Sequence, residues 1–350
     1  MFYRSVIRPL LFLFPPEKVH DFAVLTVRIM MNIPVISWIT RKIFLIKDSR
    51  LERKVFGLLF SNPVGFAAGF DKNAEFYNEF SDFGFSFIEI GTVTPKAQSG
   101  NPKPRSFRFR ADHALVNRMG FNNKGVRYAA EKLKKNKSGI IIGGNIGKNT
   151  LTPNDDAVAD YRECFEILYD YVDYFAVNVS CPNIGDIKKL QDKCGLTKLM
   201  KSLKEIDRSM GGNKPVLLKI SPDLNKNQLD EIIDVVRDSG TDGIIATNTT
   251  VSRENLRTPT EVIEKTGNGG LSGRPLKDRS TEIIRYLVQK SGKTIPVIGV
   301  GGIMSPEDAI EKLNAGASLV QVYTGFIYSG PFLVKNINRE LLKTIDKKQP

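Results

Sequence analysis

Short apolar runs alternate with amphipathic segments along this chain from residue 62 onwards, and few folds accommodate such an alternation. Each run is rich in β-branched and aromatic residues and ends in a turn, as buried parallel strands do. Segments of helical periodicity fall between most of the runs, for example 155–170, 227–238, 281–289 and 306–315. The strand candidates are 63–67, 87–90, 140–143, 174–179, 216–220, 243–246, 297–300 and 319–322.

Eight strands that alternate with helices predict a parallel (β/α)8 barrel, the TIM barrel. An open, doubly wound sheet is the alternative, but no Gly-x-Gly-x-x-Gly motif follows the first strand, where a dinucleotide-binding sheet would carry one. We therefore predict an α/β protein with a TIM barrel over residues 47–350 and a small helical extension over residues 1–46.

Composition limits the classes of partner. The chain has 350 residues and a formal net charge of +13, which favours nucleic acids, anionic membrane surfaces or small anionic ligands. Because the basic residues are dispersed and no nucleic-acid-binding motif is present, we expect no nucleic-acid partner. The three cysteines, Cys164, Cys181 and Cys194, are too few for a disulfide framework and indicate a reducing compartment. With two histidines and no Cys-x-x-Cys pair, we expect no metal site.

The N-terminal extension is amphipathic. Residues 2–14 are apolar but are interrupted by arginines and a proline, and they are too few to span a bilayer. A helix is predicted to begin at Pro15-Pro16-Glu17, and a second amphipathic segment follows Pro34. Aromatic, aliphatic and basic residues in two short helices allow either binding in a membrane interface or packing on the protein's own core.

Polar residues follow the strand candidates, at the barrel end where catalytic sites occur. Gly301 and Gly302 follow strand seven, and Tyr323-Thr324-Gly325 follow strand eight. Small residues in these two turns form the usual phosphate cradle of such barrels, so we predict a phosphorylated ligand or cofactor. Two lysines, Lys72 and Lys219, are predicted to point into the same pocket.

Strand four ends in Asn178-Val179-Ser180-Cys181-Pro182-Asn183. The thiol of Cys181 can act as a general base or a nucleophile. The alternative is a buried strand that ends in a turn, with Cys181 as an inert core residue. We find neither a carboxylate pair of the glycosidase kind nor metal-ligand spacing, which leaves a thiol in an amide-rich pocket suited to a planar, anionic molecule.

Six runs of residues stand out along the chain: AAGFDK at 67–72, EIGTVTP at 89–95, NRMGFNN at 117–123, GNIGKN at 144–149, ATNTT at 246–250 and GLSGRPL at 270–276. Together they resemble dihydroorotate dehydrogenase, the flavin enzyme of pyrimidine synthesis. The resemblance extends over nearly the whole chain, and this set in this order is highly specific.

The resemblance implies FMN in the barrel mouth. It implies that Cys181, as general base, takes a proton from C5 of dihydroorotate while a hydride passes from C6 to flavin N5, and that Lys219 stabilises the reduced flavin. The implied FMN contacts are Ala68, Gly69, Phe70, Asp71, Lys72, Thr92, Asn145, Asn178, Lys219, Thr247, Gly273, Gly302, Tyr323 and Thr324. The implied contacts to dihydroorotate or orotate are Lys72, Asn117, Arg118, Met119, Gly120, Phe121, Asn178, Asn183, Asn248 and Thr249.

The N-terminal extension resembles that of the membrane-associated, quinone-using branch, in which it forms a helical cap that guides quinone to the flavin. The tunnel residues implied are His20, Arg105 and Tyr323. Membership of this branch implies peripheral association with the cytoplasmic face of the cell membrane. The chain departs from the branch at Cys181, where serine is usual, at Ile184, where threonine is usual, and in lacking a Pro-Gly-Leu-Arg stretch.

Cysteine at the base position is typical of the soluble branches, which use fumarate or NAD and which remain the alternative. Other functions considered are a flavin barrel for another pyrimidine such as dihydrouracil, a phosphate-binding lyase with Lys219 as Schiff base, and a non-catalytic membrane-bound barrel.

Overall fold

The protein folds as a closed barrel of eight parallel strands. A computed structural model describes residues 2–136, 138–180 and 192–347. Its strands are β1 (Arg53–Val55), β2 (Leu58–Phe60), β3 (Val64–Phe66), β4 (Phe87–Val93), β5 (Ser106–Phe109), β6 (Ala114–Asn117), β7 (Ile141–Ile146), β8 (Tyr174–Asn178), β9 (Val216–Ile220), β10 (Gly243–Ala246), β11 (Gly270–Gly273), β12 (Val297–Val300) and β13 (Leu319–Val322).

The barrel strands follow one another around the axis in chain order: β3, β4, β7, β8, β9, β10, β12 and β13, which pairs with β3. This confirms the predicted TIM barrel and excludes the open sheet. Four strands have the predicted bounds, whereas β4 continues three residues beyond the predicted end at Ile90, to Val93. It continues because its polar end still pairs with β7, Gly91 opposite Asn145 and Val93 opposite Ile146.

Helices cover the outside of the barrel and form the N-terminal extension. They are α1 (Arg8–Leu11), α2 (Pro16–Met31), α3 (Pro34–Phe44), α4 (Tyr77–Phe80), α5 (Val126–Leu133), α6 (Ala157–Leu168), α7 (Lys193–Ser209), α8 (Lys226–Ser239), α9 (Thr260–Thr266), α10 (Lys277–Lys290), α11 (Pro306–Asn314), α12 (Thr324–Ser329) and α13 (Phe332–Asp346). Capping boxes begin α8 and α11: the Asn225 and Ser305 side chains accept the backbone N–H of Gln228 and Asp308, which reach back in turn.

The β1–β2 hairpin closes the N-terminal end of the barrel, and the barrel opens to solvent at its other end. Phe60 is fully buried and packs among the inward-facing side chains of the barrel strands, including Phe87 and Tyr174. Two strand glycines make room for these rings, because a Cβ at Gly65 would overlap Phe87 and a Cβ at Gly143 would overlap Tyr174.

A second sheet, which we did not predict from the sequence, stands beside the mouth of the barrel. Strands β5, β6 and β11 pair antiparallel in the order β11-β6-β5, although β11 follows β6 by about 150 residues, from residue 117 to residue 270. Their ladder joins Gly270 to Asn117 and Ser106 to Asn117. This small sheet supplies one wall of the cavity.

The N-terminal helices pack on the barrel through one face. Arg41 Nε and Ser37 Oγ each donate to the buried carboxylate of Asp82 at 2.6 Å, and the ring of Phe44 packs against Phe83 and Phe332. Their other face exposes large apolar side chains: Phe22, Leu25, Ile29, Met30, Ile33, Val35, Trp38, Ile39 and Ile43. Within the described residues, no single helix is both long and apolar enough to cross a membrane; α2 and α3 meet that criterion only together, with a bend of 106° between them. The domain division at residue 46 stays a prediction.

Candidate active site

A cavity of about 1150 Å³ of empty space, continuous with solvent, lies at the C-terminal ends of the barrel strands. Seven of the eight barrel strands, or the turns that follow them, contribute to its lining, as do the small sheet and the 119–121 loop. Protein ligand sites are typically clefts with a few convergent polar groups in a largely apolar lining. The cavity is therefore the candidate site.

Most of the residues in the predicted FMN set line this cavity. They are Ala68, Gly69, Lys72, Thr92, Asn178, Lys219, Thr247, Gly273, Gly302, Tyr323 and Thr324. Phe70, Asp71 and Asn145 stand behind the wall. The Asp71 carboxylate accepts the backbone N–H groups of Glu75 and Phe76, and burial raises its pKa to about 6. Asn145 accepts the Thr92 hydroxyl at 2.5 Å and so orients a residue that does line the cavity.

A buried carboxylate, Glu89, lies beneath the cavity and was missed in the sequence. It is fully buried, and it pairs with Lys219, whose Nζ lies 2.9 Å from Glu89 Oε1. Asn145 Nδ2 and Gln321 Nε2 each donate to Glu89 at 2.7 Å, and Tyr174 OH lies 3.4 Å away. The available signal was a carboxylate inside an otherwise apolar strand, since such a group requires a buried partner.

Gln321 is the second missed residue. It lines the cavity, and its Oε1 atom is buried without a hydrogen-bond partner among the described residues. Buried side-chain acceptors are satisfied in most proteins, so this atom marks a place for a donor that a ligand can supply.

Glycines shape one end of the cavity into a close-fitting cradle. Gly301 and Gly302 follow β12 with φ of +120° and +72°, values that L side chains rarely adopt. A Cβ at Gly302 would overlap the backbone of Lys277, and a Cβ at Gly325 would overlap Ile303 O. Together with Tyr323 and Thr324, these turns leave backbone as the surface offered to a ligand, as predicted for a phosphate.

The residues predicted to bind the pyrimidine lie toward the small sheet. Lys72, Asn117, Met119, Gly120, Phe121, Asn178, Asn248 and Thr249 line the cavity. Asn248 Nδ2 donates to Asn178 Oδ1 at 3.2 Å and to Ser180 Oγ at 3.1 Å, which orients both amides.

Lys72 and Arg118 contrast within the predicted pyrimidine set. Lys72 Nζ donates to Gly69 O at 2.7 Å, and burial lowers the pKa of Lys72 to about 8, with the nearby Arg105 cation acting in the same direction. Arg118 does not line the cavity: its guanidinium donates to Pro104 O and Thr266 O and lies over the ring of Phe107.

A sequence profile described as "Dihydroorotate dehydrogenase" matches residues 50–345 of the chain. This protein belongs to the dihydroorotate dehydrogenase family. The dihydroorotate dehydrogenase (quinone) of Christiangramia forsetii is 55% identical over 341 residues, which cover 97% of this chain and 99% of that protein. The dihydroorotate dehydrogenase (quinone) of Nostoc punctiforme is 45% identical over 361 residues, covering 99% and 94% respectively. The crystal structure of Eimeria tenella DHODH in complex with ferulenol has a TM-score of 0.81 at 35% identity and covers 95% of this chain and 92% of that one.

In this member of the dihydroorotate dehydrogenase family, the predicted base and one predicted substrate contact follow strand β8 in the chain. Cys181 and Asn183, with the unusual Ile184, lie outside the described residues. The strand that leads to them is described as far as Ser180, whose Oγ donates to Lys219 O at 2.9 Å. The roles of Cys181 and Asn183 stay predictions.

The predicted tunnel residues connect helix α2 to the cavity of this family member. His20 Nε2 lies 3.0 Å from Phe70 O, and the His20 ring packs edge-on against the Phe70 ring at 4.8 Å. Tyr323, which lines the cavity, packs edge-on against the same Phe70 ring at 5.9 Å. Arg105 is buried and pairs with Glu17 at 2.8 Å, which ties the start of α2 to the barrel.

Proposed function

We propose that this protein oxidises dihydroorotate to orotate, a step of pyrimidine synthesis, with FMN as cofactor and a membrane quinone as electron acceptor. The observation that carries the proposal is one cavity that combines Lys72 and side-chain amides, Lys219 over a buried carboxylate, and glycine turns suited to a phosphate. Both relatives named above are dihydroorotate dehydrogenases (quinone), and each matches nearly the whole chain.

The residues present fit FMN. Gly302 packs so closely on the Lys277 backbone, and Gly325 on Ile303 O, that neither position has room for a side chain, and these turns present backbone to a ligand. Gln321 Oε1, which has no partner among the described residues, offers an acceptor to a flavin ring N–H group, and Lys219 offers a cation beside it. When bound, FMN would supply the hydride acceptor and the carrier of electrons to the second substrate.

The chain's own residues bind and orient the substrate. The Lys72 ammonium would bind the carboxylate of dihydroorotate, and the amides of Asn178 and Asn248 would pair with the ring donors and acceptors. Lys219, held by Glu89, is a preorganised cation where negative charge develops. We assign the general base to Cys181, which would take the proton from C5 of dihydroorotate.

The exposed face of α2 and α3 supports peripheral binding to a membrane. Large apolar side chains such as Leu25, Ile29 and Trp38 are exposed on these two helices, and Lys42 Nζ lies 5.7 Å from the Trp38 ring centroid. Apolar and aromatic side chains beside basic ones are the composition of helices that lie in a membrane interface. We place this face on the cytoplasmic side of the cell membrane, where His20 and Tyr323 would lie on the quinone path.

The test is anaerobic. Dihydroorotate is added to the purified protein, the flavin absorbance is followed, and a short-chain quinone is then supplied. The proposal predicts bleaching on dihydroorotate and fast recovery with quinone but not with fumarate or NAD. Recovery only with fumarate or NAD would instead assign the protein to a soluble type, and absence of bleaching would refute the substrate.

The assignment of Cys181 has its own test. A thiol titrates near pH 8.5, far below an alkyl hydroxyl, so activity should reach its plateau at lower pH than in Cys181→Ser. Cys181→Ala should keep the flavin but slow its reduction by about 10²-fold or more. Coinciding pH–rate profiles of the wild-type protein and Cys181→Ser would exclude Cys181 as the base.

A further inference from the structure

Lys312, on α11, is a fully buried lysine whose ammonium has only uncharged partners in the described part of the chain. Its Nζ lies 3.2 Å from Lys277 O, 3.2 Å from Ser280 Oγ and 3.0 Å from Thr281 Oγ1. All three acceptors lie within the first five residues of α10, which begins at Lys277. A buried ammonium without an anionic partner is costly, because neutral dipoles replace its lost hydration incompletely.

Three acidic residues, Glu311, Asp308 and Asp278, act on this charge from a distance, but none forms an ion pair with it among the described residues. Asp308 and Glu311, on the same helix as Lys312, pair with Lys277 Nζ at 3.0 Å and 2.9 Å. Burial lowers the pKa of Lys312 to about 8, so the side chain still carries its proton at neutral pH. The fold therefore keeps a positive charge inside the barrel wall, and this charge requires an explanation.

The position of the Lys312 ammonium relative to the glycine cradle explains why this charge is kept. Ser280 Oγ, an acceptor for the ammonium, donates to Val300 O at 2.6 Å, one residue before the cradle. A Cβ built on Gly301 would lie 3.1 Å from Ser280 Cβ, and a Cβ built on Gly302 would overlap Lys277. Lys312 thus binds the same turn of α10 against which the two cradle glycines pack.

We propose that Lys312 is a positioning residue of the cofactor's phosphate site. Its ammonium holds the start of α10 against Gly301 and Gly302 and adds positive potential behind the cradle, which attracts the negative charge of a bound phosphate monoester. The inference rests on the proposed use of FMN, because it concerns the phosphate of that cofactor. It assigns Lys312 no contact with the reacting atoms.

The test compares FMN with riboflavin, which has the same ring system but no phosphate. Full-length protein is freed of flavin, and binding of each flavin is measured by fluorescence quenching for the wild type and for Lys312→Met. Loss of a buried cation near a phosphate should weaken FMN binding about tenfold or more and leave riboflavin binding within about twofold. A purely structural role would weaken both flavins equally.

Lys148→Met is the matched control. Lys148 is also a buried lysine that binds backbone carbonyls, Asn149 O and Thr152 O, but it does not line the cavity. It should leave the ratio of the two affinities unchanged. If Lys312→Met does not fold, Lys312→Gln removes the charge while keeping a hydrogen-bond donor.

Two results would overturn the role of Lys312: equal weakening of both flavins, or an unchanged affinity for FMN. A wild-type protein that binds neither flavin would refute the proposed cofactor itself.

Discussion

Glu89 and Lys219 form a buried ion pair at the centre of the site, and removing one partner should destabilise the fold more than removing both. Their side chains are 0% and 6% exposed, and Nζ lies 2.9 Å from Oε1. Glu89→Gln leaves the Lys219 ammonium facing an uncharged amide. A buried charge that loses its partner costs about 3–5 kcal/mol of unfolding free energy, and we expect Glu89→Gln to fall in this range.

The reverse substitution should cost less. In Lys219→Met, the Glu89 carboxylate keeps the donors of Asn145 and Gln321 at 2.7 Å, with the Tyr174 hydroxyl at 3.4 Å. Loss of a single hydrogen bond to a charged group costs about 1.5–3 kcal/mol. The double variant Glu89→Gln/Lys219→Met buries no unpaired charge, so it should be more stable than Glu89→Gln alone.

The assay is urea unfolding of the flavin-free protein at neutral pH, which separates folding from cofactor binding. Far-UV circular dichroism is the suitable probe, because the chain has one tryptophan, Trp38, and it lies on the exposed face of α3. Measuring all four proteins completes a double-mutant cycle. Two results would refute the buried pair as a stabilising unit. One is a loss of unfolding free energy below about 1 kcal/mol in Glu89→Gln. The other is a loss in the double variant that equals the sum of the losses in the two single variants.

Three further outcomes test the site and the membrane face. Gly302→Ala should lose FMN binding, since its Cβ would overlap Lys277. The control Gly57→Ala, at a similar φ of +78° but with open space around it, should keep FMN binding. Equal flavin content in the two variants would contradict the role of the cradle. Because the pKa of Lys72 is lowered to about 8, its cation is lost as pH rises through that value, so the Kd for orotate should rise between pH 7 and 9, and not in Lys72→Arg; a flat wild-type profile would argue against Lys72 as the carboxylate partner. Trp38→Asp should reduce sedimentation with anionic vesicles while leaving bleaching by dihydroorotate intact, and unchanged sedimentation would place the membrane contact elsewhere.

The barrel could be predicted because its strands are local in sequence. The apolar runs at 216–220, 243–246, 297–300 and 319–322 became strands with the predicted bounds, since a strand buried on both faces must be apolar throughout. The glycines after the last two barrel strands, 301–302 and 325, likewise line the cavity as predicted. In a parallel barrel, all strand ends meet at one face, so chain order alone places them together.

The small sheet and the buried ion pair of Glu89 and Lys219 could not be predicted in this way. Strand β11 pairs with β6 across a long stretch of chain, and Glu89 meets Lys219 across 130 residues. Neighbours in the sequence carry no information about such pairs. Arg118 shows the same limit within one motif: Asn117 and Met119 line the cavity, whereas Arg118 points away, as alternate residues of an extended segment do.

The sequence by itself determined the order of strands and helices, the end of the barrel that holds the site, and most of the residues that line it. Only the tertiary structure decided that Glu89 holds Lys219, that Gln321 has an acceptor oxygen which no described residue satisfies, and that a buried Lys312 stands behind the glycine cradle. Periodicity and strand ends are written in neighbouring residues. The environment of a buried charge is set by residues far apart in the chain, which come together only when the barrel closes.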